Sequence, residues 1–257
     1  MAMFTARVRV VEPRRLELDL AGLSRPVAKE LLALGESRFY TDGSEAFAQG
    51  EPMPGVFVVA RGTLKVLRSK GSKIQITEML APGSSIGQVE ALDGGLATCS
   101  ALAVGETACW LIPPERLRAL AGRNSEVALW MLQCSAYRIR RLVTLVDALS
   151  LRTVPERVAG LILDLYEQNP VRPLVEFRET QEEASQCIGA SREAFSRALR
   201  SLADLGMIRN SFPVVRILEL AELRHFAWGS CRCAPPPAVG PLMFEGPRLL
   251  AAGAQVS

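Results

Sequence analysis

The sequence predicts an α+β chain: an N-terminal β-domain of the jelly-roll-like, sandwich or barrel type, then one long helix, then a C-terminal helix-turn-helix with a following hairpin. Three observations carry this. Glycines punctuate short apolar runs throughout residues 39–112. Glycine then disappears from 124 to 149, where an apolar heptad takes over. Two short amphipathic segments flank a glycine turn within residues 180–209.

Size and composition bound the answer. Domains usually hold ~100–200 residues, so 257 residues suit two domains. Hydrophobic residues are 49% and charged residues 22%, an ordinary globular balance. No apolar run approaches the ~18 residues of a membrane span. The N-terminus lacks the apolar core of a signal peptide. Six cysteines are too few and too scattered for a disulfide scaffold. A cytoplasmic protein with reduced thiols and no membrane partner is expected. The net charge of +3 divides into 18 Lys/Arg against 15 Asp/Glu in residues 1–151, 10 against 11 in 152–225, and 2 against 1 in 226–257. No part is strongly basic, so a nucleic-acid function must rest on local placement.

Taken in order, residues 20–36 read as a short amphipathic helix. Runs such as Val56-Phe57-Val58-Val59 and Ala101-Leu102-Ala103-Val104, between turns at Gly62, Gly71, Gly83 and Gly105, read as strands of the β-domain. That domain is expected over residues 1–122 and the long helix over 123–150. In the helix Ala128, Leu132, Ser135, Ile139, Leu142, Val146 and Leu149 fall at alternating steps of four and three, a coiled-coil seam for a second copy of the chain. A second set with Leu129, Met131 and Leu145 is left to pack on the β-domain. Residues 151–225 form the third unit. It opens with an amphipathic helix at 153–168 that ends at Asn169-Pro170. The proline-rich stretch 226–257 reads as a tail without fixed structure.

Residues 180–209 are the most informative. Thr180 with Glu183 makes a capping box, Gly189 ends the first helix, and Ser191 caps the second. Ala194, Phe195, Ala198, Leu199 and Leu202 form the inward side of that second helix. Glu193, Ser196, Arg197 and Arg200 share the opposite face, with Arg192 at its start. Arginine can donate two hydrogen bonds to guanine, glutamate can accept from cytosine, and serine can meet a base or a phosphate. Met207-Ile208-Arg209, turning through 210–213 to Val214-Val215-Arg216-Ile217, is placed as a wing from which Arg209 can reach the backbone. Thr180, Gln181 and Ser191 stand at helix starts, where bare N–H groups hold phosphates.

The TQEE opening, the GASRE turn and the SRALRSL helix resemble the winged helix of the Crp/Fnr transcription regulators. Gln49-Gly50-Glu51, the stretch from Val56 to Val66, and Leu80-Ala81-Pro82-Gly83-Ser84-Ser85-Ile86-Gly87 are similar to that family's β-roll signature, and Arg157-Val158-Ala159 is also like it. The likeness runs in order over about residues 20–223. It implies a β-roll sensor domain, a dimerising helix and a winged helix. It also implies a homodimer on a palindromic DNA operator, and RNA polymerase as a partner if the protein activates. Recognition residues carry over onto Arg192, Glu193, Ser196 and Arg197.

The resemblance places an effector pocket at Gly83, Ile86, Gly87, Gln88, Ala97, Thr98, Cys99, Leu142 and Val143. Family members that bind cyclic AMP have Gly-Glu in the pocket loop, then Arg-Ser or Arg-Thr. Here the loop reads Gly87-Gln88, and alanine (Ala97) stands where the arginine would be. The hydroxyl pair that meets the base falls on Leu142-Val143. A buried phosphodiester without a cation is costly. The expected effector is therefore a small molecule other than cyclic AMP, or none. A shifted register would bring Glu90 to the pocket, but none supplies an arginine between Gly83 and Val104.

No cofactor or metal is evident. His225 is the only histidine and follows the wing, which excludes a histidine-ligated haem in the β-domain; Cys99, Cys109, Met79 and Tyr40 remain as haem-ligand types. A cysteine-rich N-terminus for an iron–sulfur cluster is absent, since Cys99 is the first cysteine. Cys99, Cys109, Cys134 and Cys187 read as small buried apolar residues. Cys231-Arg232-Cys233 lacks the two-residue gap of zinc sites. No phosphate loop or catalytic base arrangement suggests an enzyme.

Overall fold

The computed structural model describes residues 20, 22–168, 170 and 172–229. Most of the expected tail, with Cys231 and Cys233, lies outside the described residues.

The first helix, α1 (Arg25–Ala33), begins with a proline in its first turn, where a missing N–H costs nothing. Then come β1 (Glu36–Tyr40), β2 (Glu45–Phe47), β3 (Val56–Lys70), β4 (Lys73–Leu80), β5 (Ser85–Ile86), the short helix α2 (Gln88–Asp93) and β6 (Ser100–Ile112). The strands form one antiparallel sheet in the order β1-β6-β3-β4, with β2 added on β6 and β5 on β3. The long strands β3 and β6 pair from Val56↔Ile112 to Leu67↔Ser100, shifting register around Arg61. Gly62 sits at that shift with φ +78°, and a Cβ there would lie 2.5 Å from the Glu106 carbonyl oxygen. Only glycine fits.

The unbroken apolar run of β3 has a physical reason: both faces of the strand are covered. Phe57 and Val59 join Tyr40, Phe47 and Leu64 in the roll interior. Val56 and Val58 face the other way, against Leu31, Leu117, Val127 and Trp130. Leu117 belongs to α3 (Pro114–Arg123), a helix with no counterpart among the elements expected from sequence. It places its own proline at the helix start.

Asn124 ends α3 and caps α4 (Ser125–Leu151), its side chain accepting from the amides of Glu126 and Val127. At 1.5 Å per residue these 27 residues span about 40 Å. Val127, Trp130 and Met131 pack on the β-domain. Leu129, expected among the packing residues, is 54% exposed. It lies about 200° around the helix from Val127, at 100° per residue.

The C-terminal unit holds α5 (Val154–Gln168), β7 (Leu174–Glu176), α6 (Gln181–Cys187), α7 (Arg192–Asp204), β8 (Ile208–Ser211), β9 (Val214–Ile217) and α8 (Leu220–Trp228). Its three strands run in the order β7-β9-β8. Val158 and Ile162 of α5, Phe195 and Leu199 of α7, and Leu223 and Ala227 of α8 share one core. Ordered helix therefore continues three residues past 225, where the tail was expected to begin. The short α8 and β7 have no strong periodicity of their own; their burial comes from neighbours.

Candidate nucleic-acid interface and sensor pocket

The helix-turn-helix is built by local bonds that the sequence announces. The Thr180 hydroxyl accepts from the Glu183 amide, and the Glu183 carboxylate accepts from the Thr180 amide at 3.1 Å. Ser191 accepts from the Ala194 amide at 3.2 Å. Gly189 turns the chain at φ +63°. From α5, Arg157 donates to the carbonyls of Ile188 (2.7 Å) and Gly189 (3.4 Å), meeting oxygens that the end of α6 leaves free. Burial lowers the Arg157 pKa from its ordinary value.

Phe195, Ala198, Leu199 and Leu202 are buried, and Ala194 is half-buried at the edge of that inward side. Opposite them Arg192, Glu193, Arg197 and Arg200 are exposed, with Ser196 half-buried at their centre. None of the three arginines forms a salt bridge with a described residue. The side chains stay available to an outside partner. The Glu193 carboxyl is held below its ordinary range by its own amide and by the Ser191 hydroxyl, with Arg192 and Arg197 adding to this. Thr180 and Ser191 stand exposed at the helix starts, and Gln181 is half-buried beside Thr180. In the wing, Arg209 pairs directly with Arg216 across β8 and β9, and both are exposed. Like charges placed opposite one another repel, and an anion between them removes the penalty.

On α4 the heptad set stands clear of the chain's own body. Leu132, Ile139, Leu142, Val146 and Leu149 are all at least 41% exposed, and Leu132 and Ile139 reach 62%. Ala128 and Ser135 are half-buried, and the Ser135 hydroxyl donates back to the Met131 carbonyl at 2.9 Å. The one polar seam position is thus satisfied within its own helix.

The expected pocket divides. Gly87, with φ +105°, caps α2, and buried Gln88 donates to the Ser85 hydroxyl. Gly83 donates its amide to the Val59 carbonyl at 2.8 Å, and Ile86 is buried in the roll interior. Ala97 does not face a pocket. Its side chain belongs to the apolar cluster of Phe47 and Phe57, and its backbone bridges Gly50 and Glu51. Thr98, in the bend that follows, is exposed. There the Thr98 amide and hydroxyl both donate to the Glu90 carboxylate, at 3.3 and 3.1 Å. Leu142 and Val143 are also not brought to the chain's own pocket: they are 49% and 55% exposed and point away from the β-domain.

The helix face that does meet the β-domain carries Cys134, Tyr137, Arg138 and Arg141, which with Glu78 and Ser85 line a small cleft. Arg138 donates to Glu78 at 3.2 Å and to the Ser85 carbonyl at 3.3 Å. Buried Arg141 donates to the Thr77 carbonyl at 2.8 Å and stands 3.8 Å from Glu78. A search for an arginine inside the β-domain sequence misses these two, because they come from the helix. Their spacing at i, i+3, on the same face as Cys134, is the available signal. Burial pushes the thiols of Cys109 and Cys187 up to about 12 and also raises those of Cys99 and Cys134.

A β-domain with a cleft against a long helix is thus joined, through a helix with an uncovered apolar seam, to a capped helix-turn-helix with a cationic face, the build of a DNA-binding module. The comparisons with known proteins agree. Residues 37–124 match the family model of the cyclic nucleotide-binding domain, and residues 156–226 match that of the Crp-like helix-turn-helix domain. The cyclic AMP receptor protein of Thermus thermophilus is 31% identical over 209 residues, covering 81% of this chain and 95% of that protein. The CRP-like cAMP-activated global transcriptional regulator of Mycobacterium tuberculosis is 29% identical over 190 residues, covering 72% and 85%. Among solved structures, a CooA variant from Carboxydothermus hydrogenoformans shares the fold at a TM-score of 0.69 and 15% identity, covering 85% of this chain and 98% of that one. The chain belongs to the Crp/Fnr family of DNA-binding transcription regulators. Among the described residues no helix is long and apolar enough to cross a membrane.

Proposed function

We propose that the protein is a cytoplasmic homodimer that reads a palindromic operator through α7, and that its sensor answers a small molecule other than cyclic AMP, or none. The observation that carries the DNA reading is the single exposed face of Arg192, Glu193, Ser196, Arg197 and Arg200 on the second helix of a capped helix-turn-helix. Arg192, Glu193, Ser196, Arg197 and Arg200 can meet base edges, while Thr180, Gln181, Ser191 and Arg209 suit phosphates. The uncovered heptad on α4 supports the dimer. Two recognition helices on one two-fold axis fit half-sites about 34 Å apart. RNA polymerase is a further partner if the protein activates. No catalytic role is assigned.

The Thermus relative is named for cyclic AMP. In this chain the donors of Thr98 already serve the Glu90 carboxylate, and the nearby cations Arg138 and Arg141 serve Glu78. A cyclic phosphate bound at Thr98 would have to displace the Glu90 carboxylate. Selection of bound DNA from a random pool, with and without cell metabolites, tests the whole reading. A palindromic consensus is expected, unaltered by cyclic AMP. Retention of random sequences alone would refute it.

A further inference from the structure

Between Glu51 and Glu78 the sequence contains Arg61, Lys65, Arg68, Lys70 and Lys73 and no acid. The last four lie on the β3–β4 hairpin of the sensor domain. That hairpin does not project into solvent by itself: it is docked along α6, the first helix of the helix-turn-helix. Lys65 Nζ meets Glu183 Oε1 at 2.8 Å near the start of α6. Gln75 Nε2 donates to the carbonyls of Gln186 (2.8 Å) and Cys187 (3.1 Å) at its end. Leu67 and Ile76 pack with Cys187 between these polar contacts.

The direction of the hairpin follows from this order. It runs along α6 from first turn to last, and its tip continues toward the turn that leads into α7. A Cβ at Gly189, within that turn, would fall 2.8 Å from Gln75 Oε1. Two further residues of strand carry Lys73 about 7 Å beyond Gln75. Arg68, Lys70 and Lys73 are all exposed at this end, and none forms an ion pair with a described residue. The acids of the junction, Glu179, Glu182 and Glu183, lie at the opposite end of α6, where Lys65 pairs with Glu183.

We infer that the β3–β4 hairpin is a second DNA-contacting element, in which Arg68, Lys70 and Lys73 bind phosphates of the duplex beside the groove read by α7. The inference rests on the DNA reading proposed above. Three cations without an ion-pair partner among the described residues stand next to the element that faces the duplex, complementary in charge to its phosphates and continuous with that face. Such contacts carry no sequence information, but they add salt-dependent affinity. They also make the sensor domain part of the binding surface, so its position on α6 bears directly on affinity.

The test uses the full chain, with Arg68→Ala, Lys70→Ala and Lys73→Ala combined, on the selected operator extended by about one helical turn, ~10 base pairs, at each end. Thermal unfolding should be unchanged, because all three side chains are exposed. Operator affinity is expected to fall by ~10-fold or more, with an equal loss on random DNA. The slope of log affinity against log salt should become shallower by ~0.9 for each phosphate that the variant no longer neutralises. The charge-preserving Arg68→Lys should retain wild-type affinity and slope. Unchanged affinity and slope in the triple variant would overturn the proposal. Unchanged DNA binding with weakened transcription by polymerase would also overturn it, and would assign the hairpin to an acidic protein surface instead. If the unaltered protein retains no duplex, the parent reading fails; if it retains one and the triple variant matches it, the hairpin proposal alone fails.

Discussion

The Glu90 carboxylate accepts from both the amide and the hydroxyl of Thr98, and Glu90 is itself buried. The Glu90 side chain thus occupies both donors of Thr98. Titration calorimetry with cyclic AMP is expected to show no heat of binding at micromolar ligand, and operator affinity should not respond to the nucleotide. Gln88→Glu with Ala97→Arg, the exchange that would restore the cyclic-AMP pattern by sequence, should not restore binding. Ala97 lies in an apolar cluster, and a guanidinium forced there costs several kcal/mol. A lowered unfolding temperature without nucleotide binding is expected. Tight binding of cyclic AMP by the unaltered chain would show that Glu90 gives way to the ligand.

The apolar seam of α4 yields a second prediction. Leu142→Asp places a charge at its centre, on a half-exposed residue outside the buried clusters of its own chain. The monomer should fold, and sedimentation should show loss of the dimer with much weaker operator binding. An intact dimer would refute the seam.

Base and backbone contacts separate in a third experiment. Arg197→Ala should cost ~1–3 kcal/mol on the cognate operator and relax preference at one base pair. Arg209→Ala should weaken all sequences alike and lower the salt slope by ~1. Equal loss on cognate and random DNA for Arg197→Ala would remove α7 from base reading.

The contact between Lys65 and Glu183 makes stability depend on pH. Burial raises the Glu183 pKa, but the hydrogen bonds from Lys65 and Thr180 outweigh it and lower the carboxyl below its ordinary value. A depressed folded value means that the contribution is present above the unfolded value of ~4.3 and is lost as pH falls through the folded one. Glu183→Gln should therefore lower the unfolding temperature at neutral pH, and the gap to wild type should close below about pH 4. A gap that persists in acid would show that shape rather than charge holds the junction.

Local chemistry makes much of the chain legible. Thr180, Glu183, Gly189 and Ser191 declare their helix ends through bonds within three residues, so the helix-turn-helix can be placed from sequence. The heptad of α4 is legible because its period is set by the helix alone. The Phe57 and Val58 run reads as strand because burial on both faces favours an unbroken apolar sequence.

What the sequence by itself determined is therefore each element with a strong period or a local cap, and the outward face of α7. The tertiary structure alone decided which way Ala97 and Thr98 turn, since a one-residue choice of face depends on the cluster that Ala97 joins. It also decided that Arg138 and Arg141 meet Glu78, across 60 or more residues of chain. The docking of Gln75 on the end of α6 spans 111 residues. No spacing along a sequence records contacts at such separations, because they form only when two independently folded surfaces meet.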